Sequence, residues 1–192
     1  SGTFIAILIA DLHNPLFVEI ADQVRARLES VGRHYYITSA MIRNEDGVPY
    51  LDKQTLKSII DLRPESLLVI GSIPKIELLE ELPKSLPIIV ASGVPIGIPR
   101  AQTVRTDEAK GMRLVIDHLV EFGHKNIAHI SGVSSVVAKD RAAGYEAAMK
   151  ANGLEKHIKI VNAKTDDEVA GYQMTEALLT SKNPPSAIAC FN

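Results

Sequence analysis

A single cysteine, Cys190, and no tryptophan stand in a chain of 192 residues whose aromatic share is only 5%. One cysteine excludes an intrachain disulfide. Its place in the apolar run from Ala187 to Phe191 predicts a buried, reduced thiol, which favours the cytoplasm. Charge of one sign is also lacking: 21 basic and 23 acidic residues are scattered along the chain, for a formal net charge of −2. No electropositive footprint for a phosphate backbone results, so this stretch by itself is not expected to hold DNA. No apolar run approaches the roughly 18 residues of a membrane span. There is no basic-plus-apolar leader with a small-residue cleavage site, and no membrane partner is expected.

Chemical signatures are missing in the same way. No GxGxxG follows the first apolar run and no GxxxxGK[ST] occurs, so dinucleotide and phosphate-loop chemistry lack their usual support. HExxH, CxxC and GxSxG are absent, and the six histidines lack metal-site spacing. The expectation is a chain with no catalytic residue, no metal and no cofactor.

What is present is apolar material in short, punctuated pieces. Phe4 to Ala10 (FIAILIA) is a continuous apolar run of strand length, the pattern of a strand covered on both faces in a parallel sheet. Asn14 before Pro15 reads as an N-cap with proline at the first helical position. Phe17, Ile20, Ala21, Val24 and Leu28 then recur at helical spacing up to Gly32. The alternation continues with a strand near His34 to Ile37, a helix from about Tyr50 to Leu62, a strand at Ser66 to Ile70, a short helix at Lys75 to Glu81, and a strand at Pro87 to Val90.

Gly93, Pro95, Gly97 and Pro99 break this rhythm. A second series follows: Thr103 to Arg105, a helix beginning near Asp107 and closed at Gly123, a strand at Asn126 to Ile130, and a helix from Arg141 to Asn152. A strand at His157 to Val161, a helix from about Asp166 to Thr180, and a strand at Ser186 to Phe191 complete it. Strict alternation predicts an α/β fold of two similar doubly wound parallel-sheet lobes, residues 1–100 and 101–192. The second lobe is expected to be partial, because the chain stops directly after a buried-type strand.

In open α/β sheets the ligand crevice lies outside the carboxyl ends of the strands. The segments there are polar: Asp11 to Pro15, Gly71-Ser72 and Ala91-Ser92-Gly93 in the first series, and Ser131 to Lys139, Asn162 to Thr165 and Asn192 in the second. Each has a plainer alternative. Asn14 is explained by capping, Asp11 can turn the loop backbone, and His13 can be an ordinary exposed histidine. Arg141, read as starting a helix after a loop bearing Ser134 and Ser135, opposes the helix dipole there. A ligand hydroxyl or carboxylate would compensate it, and so would Asp140 or Asp166. His124 and His129 read as structural. The effector-contact candidates are Asp11, His13, Phe17, Ser72, Ser135, Arg141, Asp166 and Asn192.

The stretch Gly123-His124-Lys125-Asn126-Ile127-Ala128-His129-Ile130-Ser131-Gly132, followed at a set distance by Arg141-Ala142-Ala143-Gly144-Tyr145, resembles the effector-binding core of the lactose-repressor (LacI/GalR) regulators. Asp11 to Phe17 (DLHNPLF) and Pro185 to Asn192 (PSAIACFN) are similar to that family's first loop and late strand. The resemblance runs from Phe4 to Asn192. It implies the type I periplasmic-binding-protein fold, with residues matching His13 and Phe17 lining one side of a cleft and Arg141 and Asn192 the other. It also implies a small polar effector such as a sugar, a homodimer, and operator DNA read by a helix-turn-helix that this chain does not contain. Where relatives commonly carry Asp-Arg after the fourth strand, this sequence has Ala91-Ser92-Gly93. The rival expectation is a periplasmic sugar-binding protein of a transport system. Such proteins usually stack sugar rings on tryptophan, which is lacking here.

Overall fold

The computed structural model describes residues 4–45, 48–133, 135–165 and 167–192. The chain divides into two compact units, Ser1–Arg105 and Thr106–Asn192.

In the first unit the apolar runs are strands because both their faces are covered. β1 (Phe4–Ile9) lies between β2 (His34–Ser39) and β5 (Ser66–Ile70), and β6 (Ile88–Ala91) and β7 (Gln102–Val104) complete a parallel sheet of order β2-β1-β5-β6-β7. Alternate residues go to opposite layers, as the strand period requires. Ala6, Leu8, Leu67, Val69, Ile88 and Val90 meet Leu56 and Ile59 of α2 (Lys53–Leu62) and Leu79 of a 3-10 turn at Ile76–Glu81. Ile7, Ile9 and Ile70 meet Ala21 of α1 (Pro15–Ser30) on the other face. Asn14 caps α1 by accepting the Leu16 N–H at 3.0 Å, with Pro15 at the helix start.

Arg100 closes this unit. Its Nη1 donates to the carbonyls of Pro83 at 2.9 Å and Leu86 at 2.6 Å, and its Nη2 to those of Leu79 at 3.3 Å and Leu82 at 3.2 Å. Its Nε lies 3.4 Å from the Glu80 carboxylate. One guanidinium thereby gathers four carbonyls of the 3-10 turn and the following loop, two of which, Leu79 and Pro83, also accept a backbone N–H.

The second unit repeats the plan with a parallel sheet of order β10-β8-β9, made from β8 (Ile127–Ser131), β9 (Lys159–Asn162) and β10 (Ala187–Cys190). One face carries α3 (Glu108–Glu121) and α4 (Val136–Ala151), with Met112, Ile116, Ile127, Tyr145, Met149 and Ala189 as its core. The other carries α5 (Glu168–Leu179), whose Leu178 packs on Ala128 and Ile130. Tyr145 is fully buried, and its hydroxyl donates to the Ile127 carbonyl at 2.7 Å while accepting the Lys159 N–H at 3.0 Å.

Several sequence expectations need correction. The stretch at Thr103 does not open the second unit: β7 pairs with β6 as the edge of the first sheet, so the division falls after Arg105. The expected helix from Tyr50 starts only at Lys53, capped by Asp52, because Val48–Leu51 is strand β4 paired antiparallel with β3 (Ile42–Glu45). The strand expected from His157 begins at Lys159, after a 3-10 turn. Cys190 is exposed rather than buried; among the described residues β10 pairs with β8 alone. Among the described residues no helix is long and apolar enough to cross a membrane.

Candidate functional site

In both units the polar loops follow the carboxyl ends of the strands. In the first, Asp11 turns the backbone after β1, its Oδ1 accepting the His13 N–H at 2.8 Å. That bond is the plainer alternative raised for Asp11. His13 and Ser72 are exposed. Phe17, half-buried, sends its ring across Gly71 at the end of β5. Gly71 has φ +95°, and a Cβ built there would come within 2.5 Å of the Phe17 ring. Gly93, after β6, would with a Cβ come within 2.6 Å of the Gly71 carbonyl oxygen. These two glycines let three strand ends and the Phe17 ring converge, while Asp11 and His13 form the turn after β1. Ser92, between Ala91 and Gly93, is held at φ +56°, a left-handed conformation that costs a non-glycine residue about 1 kcal/mol or more.

In the second unit α4 begins at Val136 and Ser135 is its N-cap, the hydroxyl accepting the Ala138 N–H at 3.1 Å. Arg141 therefore does not start a helix; it lies in the second turn, past the reach of the N-terminal dipole. A compensating partner that the sequence reading did not name is Glu108, whose carboxylate sits 2.6 Å from the Arg141 Nε. The Arg141 Nη1 also donates to the Phe191 carbonyl, and the guanidinium carbon stands 4.9 Å from the centre of the Phe191 ring. Arg141 is thus held beside Asn192, which is exposed. Asp166 and Ser134 lie outside the described residues.

Glu108 and Phe191 were not among the sequence candidates. The pattern that brings them in is Gly144: a Cβ there would stand 3.1 Å from the Ala109 Cα and 3.3 Å from the Glu108 carbonyl oxygen. The bare backbone at that position lets α3 approach α4 one turn from Arg141. His124 is structural, its Nδ1 3.0 Å from the Ser186 hydroxyl.

His129 lies beneath this arrangement, fully buried and stacked 5.3 Å from the Tyr145 ring. Its Nδ1 is 2.9 Å from the Ala189 carbonyl oxygen. A carbonyl only accepts, so Nδ1 carries the hydrogen, and the buried Nε2 has no hydrogen-bond partner. Burial pushes its pKa below the ordinary histidine value; the Ala189 carbonyl opposes this and the Arg141 charge adds to it. The folded chain therefore binds fewer protons here than the unfolded chain does. The stability this contributes is complete above about pH 6.5, the unfolded value, and is lost as pH falls below it towards the folded pKa. The urea midpoint of the native chain is expected to drop between about pH 7 and 5 more steeply than that of His129→Leu. Equal slopes would mean that His129 is protonated without cost in the fold.

Among the described residues no group of three or more His, Cys, Asp or Glu could hold a metal ion. A concavity of about 320 Å³ lined by Ile59, Arg63, Pro64, Glu65, Pro83 and Leu86 opens at the other end of the first sheet, where β5 and β6 begin. It is remote from the polar strand-end loops, and Glu65 there is engaged by Arg33.

Comparison with known proteins bears directly on these loops. The family described as periplasmic binding proteins and sugar binding domain of LacI family matches residues 3–192. The chain belongs to this family. The maltose regulon regulatory protein MalI of Escherichia coli (strain K12) is 26% identical over 98% of this chain and 54% of its own length. The crystal structure of a LacI transcriptional regulator from Rhodococcus species matches with a TM-score of 0.84 and 27% identity, over 98% of this chain and 67% of that one. The Cra transcriptional dual regulator from Pseudomonas putida, solved in complex with fructose 1-phosphate, shares the fold at a TM-score of 0.80 and 19% identity, over 99% of this chain and 69% of that one. The chain spans about half the length of the curated relatives it matches. Within the LacI-family fold, the stretch from Gly123 to Gly132 forms β8 and its flanks, and Arg141 to Tyr145 forms the α4 face that meets α3.

Proposed function

We propose that this chain is the effector-binding core of a bacterial LacI-family transcriptional regulator, a binding module and not an enzyme. It takes a small polar molecule, of which a sugar is the leading class, and its occupancy modulates how a DNA-binding segment elsewhere in the protein holds its operator. The complete protein acts as a cytoplasmic homodimer in this reading. The candidate contacts are Asp11, His13, Phe17 and Ser72 in the first unit, and Ser135, Arg141, Asp166 and Asn192 in the second.

The observation that carries the reading is the Arg141 guanidinium, fixed at the strand ends by Glu108 and Phe191, with Nη protons left over from these bonds among the described residues. A planar donor fork of that kind suits hydroxyl or carboxylate oxygens. Relatives such as MalI, named as regulators and matched along 98% of this chain, favour regulation over the transport alternative. At the strand ends the described polar groups Asp11 and Ser135 serve as a turn and a cap.

The test is a thermal-shift screen of the complete protein against sugars, sugar phosphates, nucleosides and amino acids, followed by operator binding with and without the hit. A ligand at about a hundred times its Kd should add roughly 2.7 kcal/mol of stability and change operator affinity. Arg141→Ala should weaken that ligand by about ten- to a hundredfold. An unchanged affinity in this variant places the site elsewhere. A saturating ligand that leaves operator binding untouched removes the regulator reading.

A further inference from the structure

The second unit contains a charge arrangement that constrains what Arg141 can accept. Both carboxylate oxygens of Glu108 are engaged, Oε2 with the Arg141 Nε and Oε1 with the Thr106 hydroxyl. The Glu108 side chain is 9% exposed and that of Arg141 24%, so the pair sits where water screens it little. The Phe191 carbonyl and ring hold the opposite side of the guanidinium. The other cations near these strand ends, Lys139 and Lys164, are exposed and screened by solvent. At the Nη edge, where the Phe191 carbonyl is the partner among the described residues, a ligand therefore meets hydrogen-bond donors whose positive charge is already cancelled.

We propose that Glu108 is a positioning residue that both aims Arg141 and neutralises it, so that the strand-end site of the second unit takes neutral, hydroxyl-bearing ligands and turns away phosphorylated or carboxylate ones. This rests on Arg141 touching the effector. Hydroxyl oxygens need directed donors but bring no charge, and a fork held at two edges supplies such donors without rotamer loss. A phosphate would gain the same hydrogen bonds but lie close to the Glu108 carboxylate, which opposes it. Gly144 makes the arrangement possible by admitting α3 close to α4.

The probe is inorganic phosphate, titrated into the full chain and followed by the NMR signal of the Arg141 Nε–H. The native protein should show no saturable shift into the tens of millimolar. Glu108→Gln, which keeps the side-chain length and the Thr106 contact but removes the charge, should bind phosphate at least about tenfold more tightly. Glu108→Asp, retaining charge with shorter reach, should remain blind to phosphate while its Arg141 Nε–H exchanges faster with water. Saturable millimolar phosphate binding by the native protein at Arg141 overturns the proposal even if no variant folds. Identical titrations for the native chain and Glu108→Gln overturn it as well, whether both bind or neither does. If instead Arg141→Ala leaves effector affinity intact, the assignment of Arg141 to the effector site fails, while the phosphate result still reports the charge of the pair.

Discussion

Gly71→Val is expected to destabilise the first unit by about 4 kcal/mol, combining a backbone penalty of roughly 1–3 kcal/mol with overpacking of similar size. Gly71 has φ +95°, and a Cβ there would lie 2.5 Å from one Phe17 ring carbon and 2.9 Å from the Ala10 Cβ. Valine fails twice: a β-branched residue is a steric outlier at positive φ, and the space above the strand end is already filled. Phe17 cannot swing away without cost, since it also packs on the cluster of Ile7, Ile9, Ala21 and Ile70. Gly32→Ala separates the two contributions, because Gly32 has φ +67° with nothing within 4 Å of a built Cβ. That variant should lose only about 1 kcal/mol. Urea denaturation followed by circular dichroism measures both. Losses of equal size would mean that Phe17 repacks freely and does not hold the loops after β1 and β5 in place.

Arg100→Ala should cost the same unit about 3 kcal/mol, in the range for removing one member of a buried, hydrogen-bonded charge cluster, reduced for its partial solvent contact. The side chain is 19% exposed, so its charge is substantially removed from water. Its removal takes a donor from four carbonyls at once, those of Leu79, Leu82, Pro83 and Leu86, of which Leu79 and Pro83 keep a backbone N–H partner. Arg100→Lys should recover only part of the loss, because an ammonium lacks the planar fork that reaches both pairs of carbonyls. The comparison of urea midpoints is decisive: a lysine variant as stable as the native chain would show that charge alone, and not the fork, holds this loop. The carbonyls concerned belong to the turn and loop between β5 and β6, so the same change should loosen the approach to Ala91-Ser92-Gly93.

The central strands were legible because burial on both faces writes itself as a continuous apolar run; β5 at Ser66–Ile70 has the bounds expected of it. Helix starts were legible where a capping side chain and proline coincide, as at Asn14 and Pro15. They were not where they do not. Val136 and Val137 are β-branched, which lowers helix propensity, and so α4 was expected only from Arg141. The β3–β4 hairpin was missed although the sequence carries Asp46-Gly47, a strong short-range hairpin signal. β7 was assigned to the wrong unit because its three exposed residues record no partner; only the pairing with β6 does. The family segments drew attention to Arg141, but its partners lie 33 and 50 residues away, and no local pattern reports a contact across such distances. Cys190 was misjudged for a related reason: an apolar strand sequence does not say what covers each of its residues.

The Tyr145 hydroxyl carries a consequence for the order of assembly. It ties β8 to β9 through contacts spanning 18 and 14 residues, whereas the His129 bond that seats β10 spans 60. Loop closure grows costlier with length, and near contacts form before far ones. The β8-α4-β9 segment can thus close around one phenol while β10 is still unplaced. The partners of Arg141 then arrive at different stages, with Phe191 coming last, so the guanidinium takes up its final position only when the second unit has finished folding.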